Sequence, residues 1–154
     1  MILRAARAED VAGVLAAARR AHAEAQAAGG IYARLPFDEA ICSETLSALI
    51  GREDALVLLA IDGERIVGGV MAAESEHWAS RARYGHELAL IVEPEARGRL
   101  VGLRLVQALV GWARARALPM LLAGASSGVD HDRTRRIYEF AGLREAGIVM
   151  RIDP

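Results

Sequence analysis

The dipeptide Asp62-Gly63, together with the apolar runs on either side of it, constrains the fold of this 154-residue chain more than any other feature. The first run, at 55–61, reads ALVLLAI, and the second, at 65–72, reads RIVGGVMA. The first run is too short and too continuously apolar for an independent helix, so we predict a buried strand. An Asp-Gly pair favours a tight turn, which returns the second run as an antiparallel partner. The centre of the molecule is therefore predicted to be a β-hairpin.

The rest of the chain adds helices before and after this hairpin. Further strands are predicted at 2–5, 86–92, 120–125 and 148–152, and a surface loop at 74–85. Helices are predicted at 8–28, 38–50, 101–117 and 132–141. Because helices separate the later strands, some of those strands are expected to pair in parallel. The sequence predicts one α/β (α+β) domain over 1–154, in which about four helices flank a mixed sheet of about six strands in three layers.

Composition narrows the classes of partner. The chain is 53% hydrophobic and 25% charged, which is typical of a globular protein, and its net charge is -1. A near-neutral charge with only 5% aromatic residues argues against nucleic acid as a partner. The absence of any run of ~18 apolar residues argues against a membrane span, and the lone Cys42 excludes an internal disulfide. We predict a cytoplasmic protein, and the four scattered histidines predict no metal site.

The stretch 93–102, EPEARGRLVG, joins a predicted strand to the clearest predicted helix. A helix N-terminus carries unsatisfied N–H groups and the positive end of the macrodipole, which together favour an anion. Arg97 and Arg99 add positive charge, and Gly98 and Gly102 allow close approach of a ligand. The residues alone leave two interpretations open, a phosphate-binding turn and a solvated turn before an amphipathic helix.

The segment 90–102, LIVEPEARGRLVG, resembles the signature Q/R-x-x-G-x-G/A of the GNAT acetyltransferase superfamily. Arg97 occupies the Q/R position and Gly102 the last position, whereas Leu100 replaces the middle glycine. We expect Leu100 to have helical dihedrals and a side chain turned to the core, since its N–H would then remain available.

A second segment, HDRTRRIYEFAGL at 131–143, is similar to the N-x-x-A-x-x-L-Y-x-x-x-G-F block of the same superfamily. Tyr138, Gly142 and Leu143 occupy the Tyr, Gly and Phe positions, whereas His131 replaces the Asn and Thr134 the Ala. The two blocks follow the family's order, and with the first strand and helix the resemblance covers nearly the whole chain.

The resemblance implies that acetyl-CoA is the acyl donor. Its pyrophosphate would lie on the N–H groups of 97–102, and its pantetheine arm along the strand that ends at Val92, between splayed strands. The amide of Val92 would help to polarise the thioester carbonyl. The implied cofactor-binding residues are Leu90, Ile91, Val92, Arg97, Gly98, Arg99, Leu100, Val101, Gly102, His131, Arg135 and Tyr138.

The implied activity is N-acetylation of a primary amine, on a small molecule or a peptide, by direct transfer in a ternary complex. Tyr138 matches the family's acid, and because a tyrosine has a pKa of ~10 it keeps its hydroxyl proton at neutral pH and has one to give to a departing thiolate. The alternative for Tyr138 is a core tyrosine. His86 and Glu87 are the candidate bases, and strand alternation sends them to opposite faces. We expect His86 to share its face with Leu90 and Val92, and to act directly or through water.

The acceptor is expected opposite the cofactor, between the first two helices and a later loop. Its predicted contacts are Tyr32, Leu35, Phe37, Glu74, Glu76 and Trp78. The acidic residues would suit a cationic amine. A non-catalytic acyl-CoA-binding or regulatory protein on the same fold remains the alternative, motivated by Leu100 and His131, and a nucleic-acid module using 133–136 is a weaker one. The resemblance also allows a homodimer.

Overall fold

The computed structural model describes residues 1–32 and 34–152. Its strands are β1 (Ile2–Ala5), β2 (Ala55–Asp62), β3 (Arg65–Glu76), β4 (Arg83–Val92) and β5 (Leu121–Leu122). Its α-helices are α1 (Val11–Ala27), α2 (Glu39–Leu49), α3 (Val101–Ala115) and α4 (His131–Phe140), and short 3₁₀ turns span Ala8–Asp10 and Pro94–Ala96. The order of elements matches the prediction as far as the end of α4.

The strands form one mixed sheet in the order β1-β2-β3-β4-β5. The predicted hairpin is confirmed, because β2 and β3 pair antiparallel and the pair Asp62–Arg65 closes them. Gly63 in the turn has a φ of 62°, a left-handed conformation that glycine adopts without strain. β5 pairs in parallel with β4, through Gly85–Leu121 and His86–Leu122. The expected mixture of antiparallel and parallel pairing is therefore present.

Apolar residues fill both faces of the sheet, which confirms the three-layer prediction. On one face α3 packs its fully buried Leu105 and Leu109 against the strands. On the other face α1 and α2 cover Leu59, to which α2 contributes Leu46 and Leu49. Asp38 caps α2 as predicted, since its carboxylate accepts a hydrogen bond from Ile41 N at 3.0 Å. Among the described helices, none is long and apolar enough to cross a bilayer.

The predicted surface loop at 74–85 is wrong for half of its length. β3 continues to Glu76 and β4 begins at Arg83, so that only 77–82 form a turn. Charge suggested exposure here, but the charges are paired within the ladder. Arg83 Nε lies 2.8 Å from Glu74 Oε2, and its Nη2 lies 3.1 Å from Asp54 Oδ2. Ion pairing thus lets a polar stretch continue the sheet.

The predicted last strand is also wrong, and the one before it is shorter than expected. Residues 143–152 form neither helix nor strand, and β5 is reduced to Leu121–Leu122 within the predicted 120–125. The sheet therefore has five strands rather than six among the described residues. β-branched and apolar residues favour a strand only where a neighbouring strand is available to pair with.

Gly68 of β3 lies beneath the first turns of α3, where no side chain fits. A Cβ at this position would lie 2.9 Å from Ile91 O, 3.1 Å from Val101 Cγ1 and 3.2 Å from Leu105 Cδ1. Gly68→Ala is expected to lower the free energy of unfolding by about 1–3 kcal/mol, because the carbonyl belongs to the paired strand.

Urea denaturation measures this change, with Gly111→Ala as a matched control. A Cβ at Gly111 of α3 meets no atom within 4 Å, so that variant should gain about 0.5–1 kcal/mol. Equal effects of the two substitutions would contradict the packing described for Gly68.

Candidate active site

A β-bulge in β4 decides which candidate base faces α3. Met71 pairs with Ala89 and Ala72 with Glu87, so that Leu88 is the extra residue. Ala72 packs in the core on the α3 side, and its partner Glu87 shares that face. His86 pairs with Ala73, which packs on the α1 and α2 side. The expectation that His86 shares a face with Leu90 and Val92 is therefore wrong, because the bulge gives that face to Glu87.

Glu87 forms a buried pair with Tyr138. The Tyr138 hydroxyl donates to Glu87 Oε2 at 2.7 Å, and Tyr138 itself is only 8% exposed. Burial raises the pKa of Glu87 to about 7, although the hydrogen bond from Tyr138 acts in the opposite direction. Burial also raises the pKa of Tyr138, and the charge of Glu87 and the hydrogen bond add to this shift. Two predicted catalytic residues thus form one coupled unit with a carboxyl group that titrates near neutrality.

The raised pKa of Glu87 implies that the protein loses stability as the pH rises. Between 4.5, the usual pKa of this carboxyl, and about 7, folded Glu87 holds a proton that the unfolded chain has lost. The free energy of unfolding is therefore expected to fall across this range, by up to ~1.4 kcal/mol for each pH unit.

Glu87→Gln should flatten this dependence, because its amide does not titrate. Urea denaturation at a series of pH values measures the slope, and Glu64→Gln, on the exposed β2–β3 turn, is the matched control. An unchanged slope in Glu87→Gln would show that the carboxyl is ionised throughout.

β4 has a free edge beyond its short pairing with β5. β5 pairs only with Gly85 and His86, and no strand of the described chain covers that edge from Leu88 to Val92. On its other edge the same segment pairs with β3, from Gly68 to Met71. An extended ligand with amide groups can hydrogen-bond such an edge as an added strand. The free edge coincides with the predicted path of the pantetheine arm along Leu90, Ile91 and Val92.

The turn at 97–102 presents several backbone donors at the start of α3. Within the described residues, the N–H groups of Gly98, Leu100, Val101 and Gly102 have no backbone acceptor. Gly98 has a φ of 99°, and Leu100 is left-handed with φ 60° and ψ 11°. Consecutive turns of this kind at a helix N-terminus form an anion-binding concavity. The observed donors fit a pyrophosphate.

Leu100 does not have the expected helical conformation. Its side chain is 62% exposed rather than turned to the core, since residue 100 caps the helix and α3 begins only at Val101. The left-handed conformation there is one that glycine adopts freely, which explains why the family signature has glycine at this place.

Leu100→Gly is expected to raise the free energy of unfolding by about 0.5–1 kcal/mol. A left-handed L-residue costs roughly 1–2 kcal/mol, part of which is offset by the greater freedom of glycine in the unfolded chain. Leu100→Ala keeps the Cβ and should bring no gain. Urea denaturation compares the free energies of unfolding of the three proteins. An equal gain in both variants would show that the exposed leucine side chain, and not the left-handed backbone, is the source of the lost stability.

All three of the predicted cofactor-binding arginines are paired with carboxylates. Arg97 makes a bidentate pair with Glu24 of α1, at 2.6 and 2.5 Å, and its Nε donates to Val92 O at 3.1 Å. Arg135 pairs with Glu139 at 3.1 Å along α4. A cleft of about 430 Å³ beside the Arg97–Glu24 pair separates α1 from the end of β4. The main contribution of Arg97 is therefore to hold the turn against α1.

Arg133, which the sequence offered only as one member of the arginine run 133–136, supplies a further cation at the turn. Its Nη2 would lie 3.5 Å from a Cβ at Gly98, so α4 places this guanidinium directly over the turn. Arg99 also lies at the turn, 3.3 Å from Asp62, with two-thirds of its side chain exposed. His131 stands at the first position of α4, also exposed. The arginine run at 133–136 was the available signal, but only the packing of α4 against α3 shows which member faces the turn.

The predicted acceptor contacts are not brought together. Glu74 is 4% exposed at its side chain, and Arg83 and Arg116 both pair with it, so the structure assigns it to the ladder. Trp78 is 92% exposed in the β3–β4 turn. Tyr32 and Phe37 lie between α1 and α2, where the Phe37 ring lies 5.5 Å from that of His22. No group of three His, Cys, Asp or Glu side chains suited to a metal occurs in 1–32 and 34–152.

The free edge of β4, the donor-rich turn and the Glu87–Tyr138 pair are features that an acyl-transfer site would need. A sequence model of the Acetyltransferase (GNAT) family matches residues 10–142. The chain therefore belongs to the GNAT acetyltransferase family, which confirms the resemblance. Membership supports acetyl transfer as the activity and acetyl-CoA as the donor. No curated protein matches the chain in sequence.

Solved structures share the fold over the whole chain. The aminoglycoside 6'-N-acetyltransferase AAC(6')-IG from Acinetobacter haemolyticus is 16% identical with a TM-score of 0.73, covering 100% of this chain and 98% of that one. A predicted acetyltransferase from Clostridium acetobutylicum, solved with acetyl-CoA, is 14% identical with a TM-score of 0.75, covering 99% and 95%. The BH1408 protein of Bacillus halodurans is 19% identical with a TM-score of 0.80, covering 100% and 99%.

Proposed function

We propose that the protein is an acetyl-CoA-dependent N-acetyltransferase acting on a primary amine by direct transfer in a ternary complex. The observation that carries this proposal is the buried Glu87–Tyr138 pair, 2.7 Å apart, beside the free edge of β4. A base with a pKa near neutrality and a proton donor in contact with it are the two groups that transfer from a thioester to an amine requires.

Proton movements in this proposal begin at Glu87. Its carboxylate accepts the proton that the amine loses on attack, directly or through one water molecule. Neutralising Glu87 removes its negative charge, one of the causes that raise the pKa of Tyr138. Tyr138 then gives its hydroxyl proton to the departing thiolate. The proton on Glu87 crosses the hydrogen bond to the tyrosinate, so that both groups return to their starting state.

The donor would be held by backbone rather than by many side chains. The N–H groups of Gly98, Leu100, Val101 and Gly102 would hold the pyrophosphate. Arg133, above Gly98, would add positive charge. The edge of β4 at Leu90–Val92 would pair with the pantetheine amides. Val92 O already accepts from Arg97 Nε, and a carbonyl oxygen has a second lone pair for a ligand.

Direct transfer is supported by the state of the one cysteine. Cys42 lies half-buried in α2, and burial raises the pKa of its thiol, so it is a poor nucleophile.

The segment between α1 and α2 is the part of the protein that we favour as one wall of the acceptor-binding site. Phe37 of this segment packs beside His22 of α1. The Nε2 of His22 is buried and has no partner in the described chain, which suits a polar group of the acceptor.

Calorimetry with acetyl-CoA followed by a thiol-release assay over an amine panel tests the proposal. Aminoglycosides belong in the panel because a structural neighbour is an aminoglycoside acetyltransferase. Peptides with a free α-amine and simple polyamines complete it. We expect acetyl-CoA to bind saturably and free thiol to be released in the presence of at least one amine of the panel. Absence of binding at millimolar acetyl-CoA would refute the donor site.

The alternative, a non-catalytic acyl-CoA-binding protein on this fold, is favoured by one observation. Leu100 places a Cβ and an exposed side chain where the signature has glycine, within the turn that is proposed to bind the pyrophosphate. Binding of acetyl-CoA without thiol release from any amine in the panel would support that alternative. It would leave the fold and the donor site unchanged.

A further inference from the structure

Two ion pairs connect α1 to the segment that follows β4. Arg20 Nη2 lies 2.6 Å from Glu93 Oε1, and the two carboxylate oxygens of Glu24 accept from Nη1 and Nη2 of Arg97 at 2.6 and 2.5 Å. The partners are four residues apart both on α1 and on the following segment, so the two pairs are neighbours with opposite polarity. Both pairs line the cleft of about 430 Å³ between α1 and the end of β4.

Of these two pairs, only the one made by Glu24 connects with the proposed donor site. Arg97 Nε donates to the carbonyl oxygen of Val92, the last residue of the edge that would bind the pantetheine arm, at 3.1 Å. Arg97 also directly precedes Gly98, the first residue of the turn with an N–H free of a backbone acceptor. A guanidinium group is planar and rigid, so a carboxylate that fixes both Nη groups also fixes the direction of Nε.

The Glu24–Arg97 pair is better ordered than an ordinary surface ion pair. The two side chains are 35% and 31% exposed, and the contact is bidentate. The hydrogen bonds from Arg97 lower the pKa of Glu24, so the carboxylate is charged at neutral pH. Bidentate geometry is the case in which an arginine–carboxylate pair holds a fixed orientation.

We propose that Glu24 is a positioning residue for the acyl donor, acting through Arg97 on the Val92 carbonyl and on the turn that begins at Gly98. This inference rests on the proposed function, because it concerns the binding of acetyl-CoA. Without the carboxylate, the guanidinium is free to change rotamer and Nε no longer holds Val92 O. The charge of Glu24 acts in the opposite direction, since loss of a negative charge alone would favour an anionic donor.

Glu24→Gln and Glu24→Asp separate position from charge. Glutamine keeps the length of the side chain and removes its charge, whereas aspartate keeps the charge and is one methylene too short for the same bidentate pair. Calorimetry is expected to show that both variants raise the Kd for acetyl-CoA about tenfold. Unchanged binding in Glu24→Gln would overturn the proposal. Tighter binding in Glu24→Gln with normal binding in Glu24→Asp would also overturn it, because charge alone would then decide.

Steady-state kinetics give a second measurement on the same variants. The KM for acetyl-CoA should rise with the Kd, while kcat at saturating acetyl-CoA should change less than about twofold, because the Glu87–Tyr138 pair is untouched. A loss confined to kcat would contradict a role in holding the donor.

Arg20→Gln is the matched control, because it breaks the neighbouring pair and leaves Arg97 in place. Glu93 is only 7% exposed, so loss of its partner should lower the free energy of unfolding at least as much as Glu24→Gln does. The Glu93 backbone is still held by its N–H, which donates to Val67 O at 3.1 Å. The Kd for acetyl-CoA should therefore be unchanged. An equal rise of Kd in Arg20→Gln would assign the effect to lost stability and would overturn the proposal.

The double variant Glu24→Gln/Arg97→Gln tests whether Glu24 acts through Arg97. Its Kd for acetyl-CoA is expected to equal that of Arg97→Gln alone, since the side chain that transmits the effect is then absent. Losses that multiply would exclude this route. A wild-type protein that does not bind acetyl-CoA would refute the donor site together with this inference, whereas normal wild-type binding that Glu24→Gln leaves unchanged would refute the inference alone.

Discussion

Acetyl transfer by the Glu87→Gln variant is expected to be roughly 10²–10⁴-fold slower than by the wild-type protein at neutral pH. Glutamine keeps an oxygen that can accept the hydrogen bond from Tyr138, so the packing of α4 on β4 is preserved while the base is removed. The wild-type rate should rise with pH through about 7, the pKa of Glu87, and the variant should lack this rise. Initial rates of thiol release at saturating acetyl-CoA measure both effects.

His86→Ala is the matched control for this measurement. His86 is the neighbouring candidate base, but it lies on the opposite face of the sheet, paired with Ala73. Its removal is expected to leave the rate and its pH dependence unchanged. The opposite result, a slow His86→Ala and a normal Glu87→Gln, would return the role of base to the histidine and would separate the Glu87–Tyr138 pair from the chemistry.

Tyr138→Phe is expected to reduce kcat by about 10²-fold or more, because the thiolate then leaves without a proton donor. The ring remains in the core, so the loss should come mainly from the hydroxyl. The hydrogen bond from Tyr138 lowers the pKa of Glu87, and its loss should therefore raise that pKa further. Since the base must be ionised, the rising limb of the pH–rate profile should move to higher pH.

The double variant Glu87→Gln/Tyr138→Phe tests whether the two groups act as one unit. Coupled groups give a combined loss well below the product of the single losses. Losses that multiply would indicate that each group acts independently, and they would exclude the proton passage between the two. Thermal unfolding of all three variants shows how far lost stability contributes, since Tyr138→Phe leaves the buried Glu87 without its hydrogen-bond donor.

The hairpin, the helices and the three layers were predictable because each depends on local chemistry. Asp62-Gly63 fits a tight turn, Asp38 caps a helix, and the apolar positions of α3 repeat at helical spacing. These features involve neighbours in the chain, so the sequence displays them directly. The failures involve distant partners. Glu74 is buried because Arg83 and Arg116 reach it. The 148–152 segment has the composition of a strand but forms none in the structure.

The site divides in the same way. Tyr138 and the turn at 97–102 were found through resemblance to family motifs, and the structure adds that Tyr138 touches Glu87. The choice between His86 and Glu87 failed because it assumed unbroken alternation along β4. No residue near Leu88 signals a bulge, which arises from pairing with β3. The sequence likewise could not show which arginine of the run 133–136 faces the turn, because only the packing of α4 orients Arg133 toward Gly98.

The bulge at Leu88 also divides β4 into two halves of opposite phase. Before it, odd-numbered residues face α3, since Glu87 does so and a Cβ on Gly85 would meet Trp112 and Leu118. After it, even-numbered residues do, namely Leu90 and Val92. Tolerance to substitution along this strand should therefore change from one parity to the other at a single residue. The extra residue shifts the alternation of side chains by one position. One face of β4 therefore presents the Glu87 carboxylate to α4 and the apolar side chains of Leu90 and Val92 to α3.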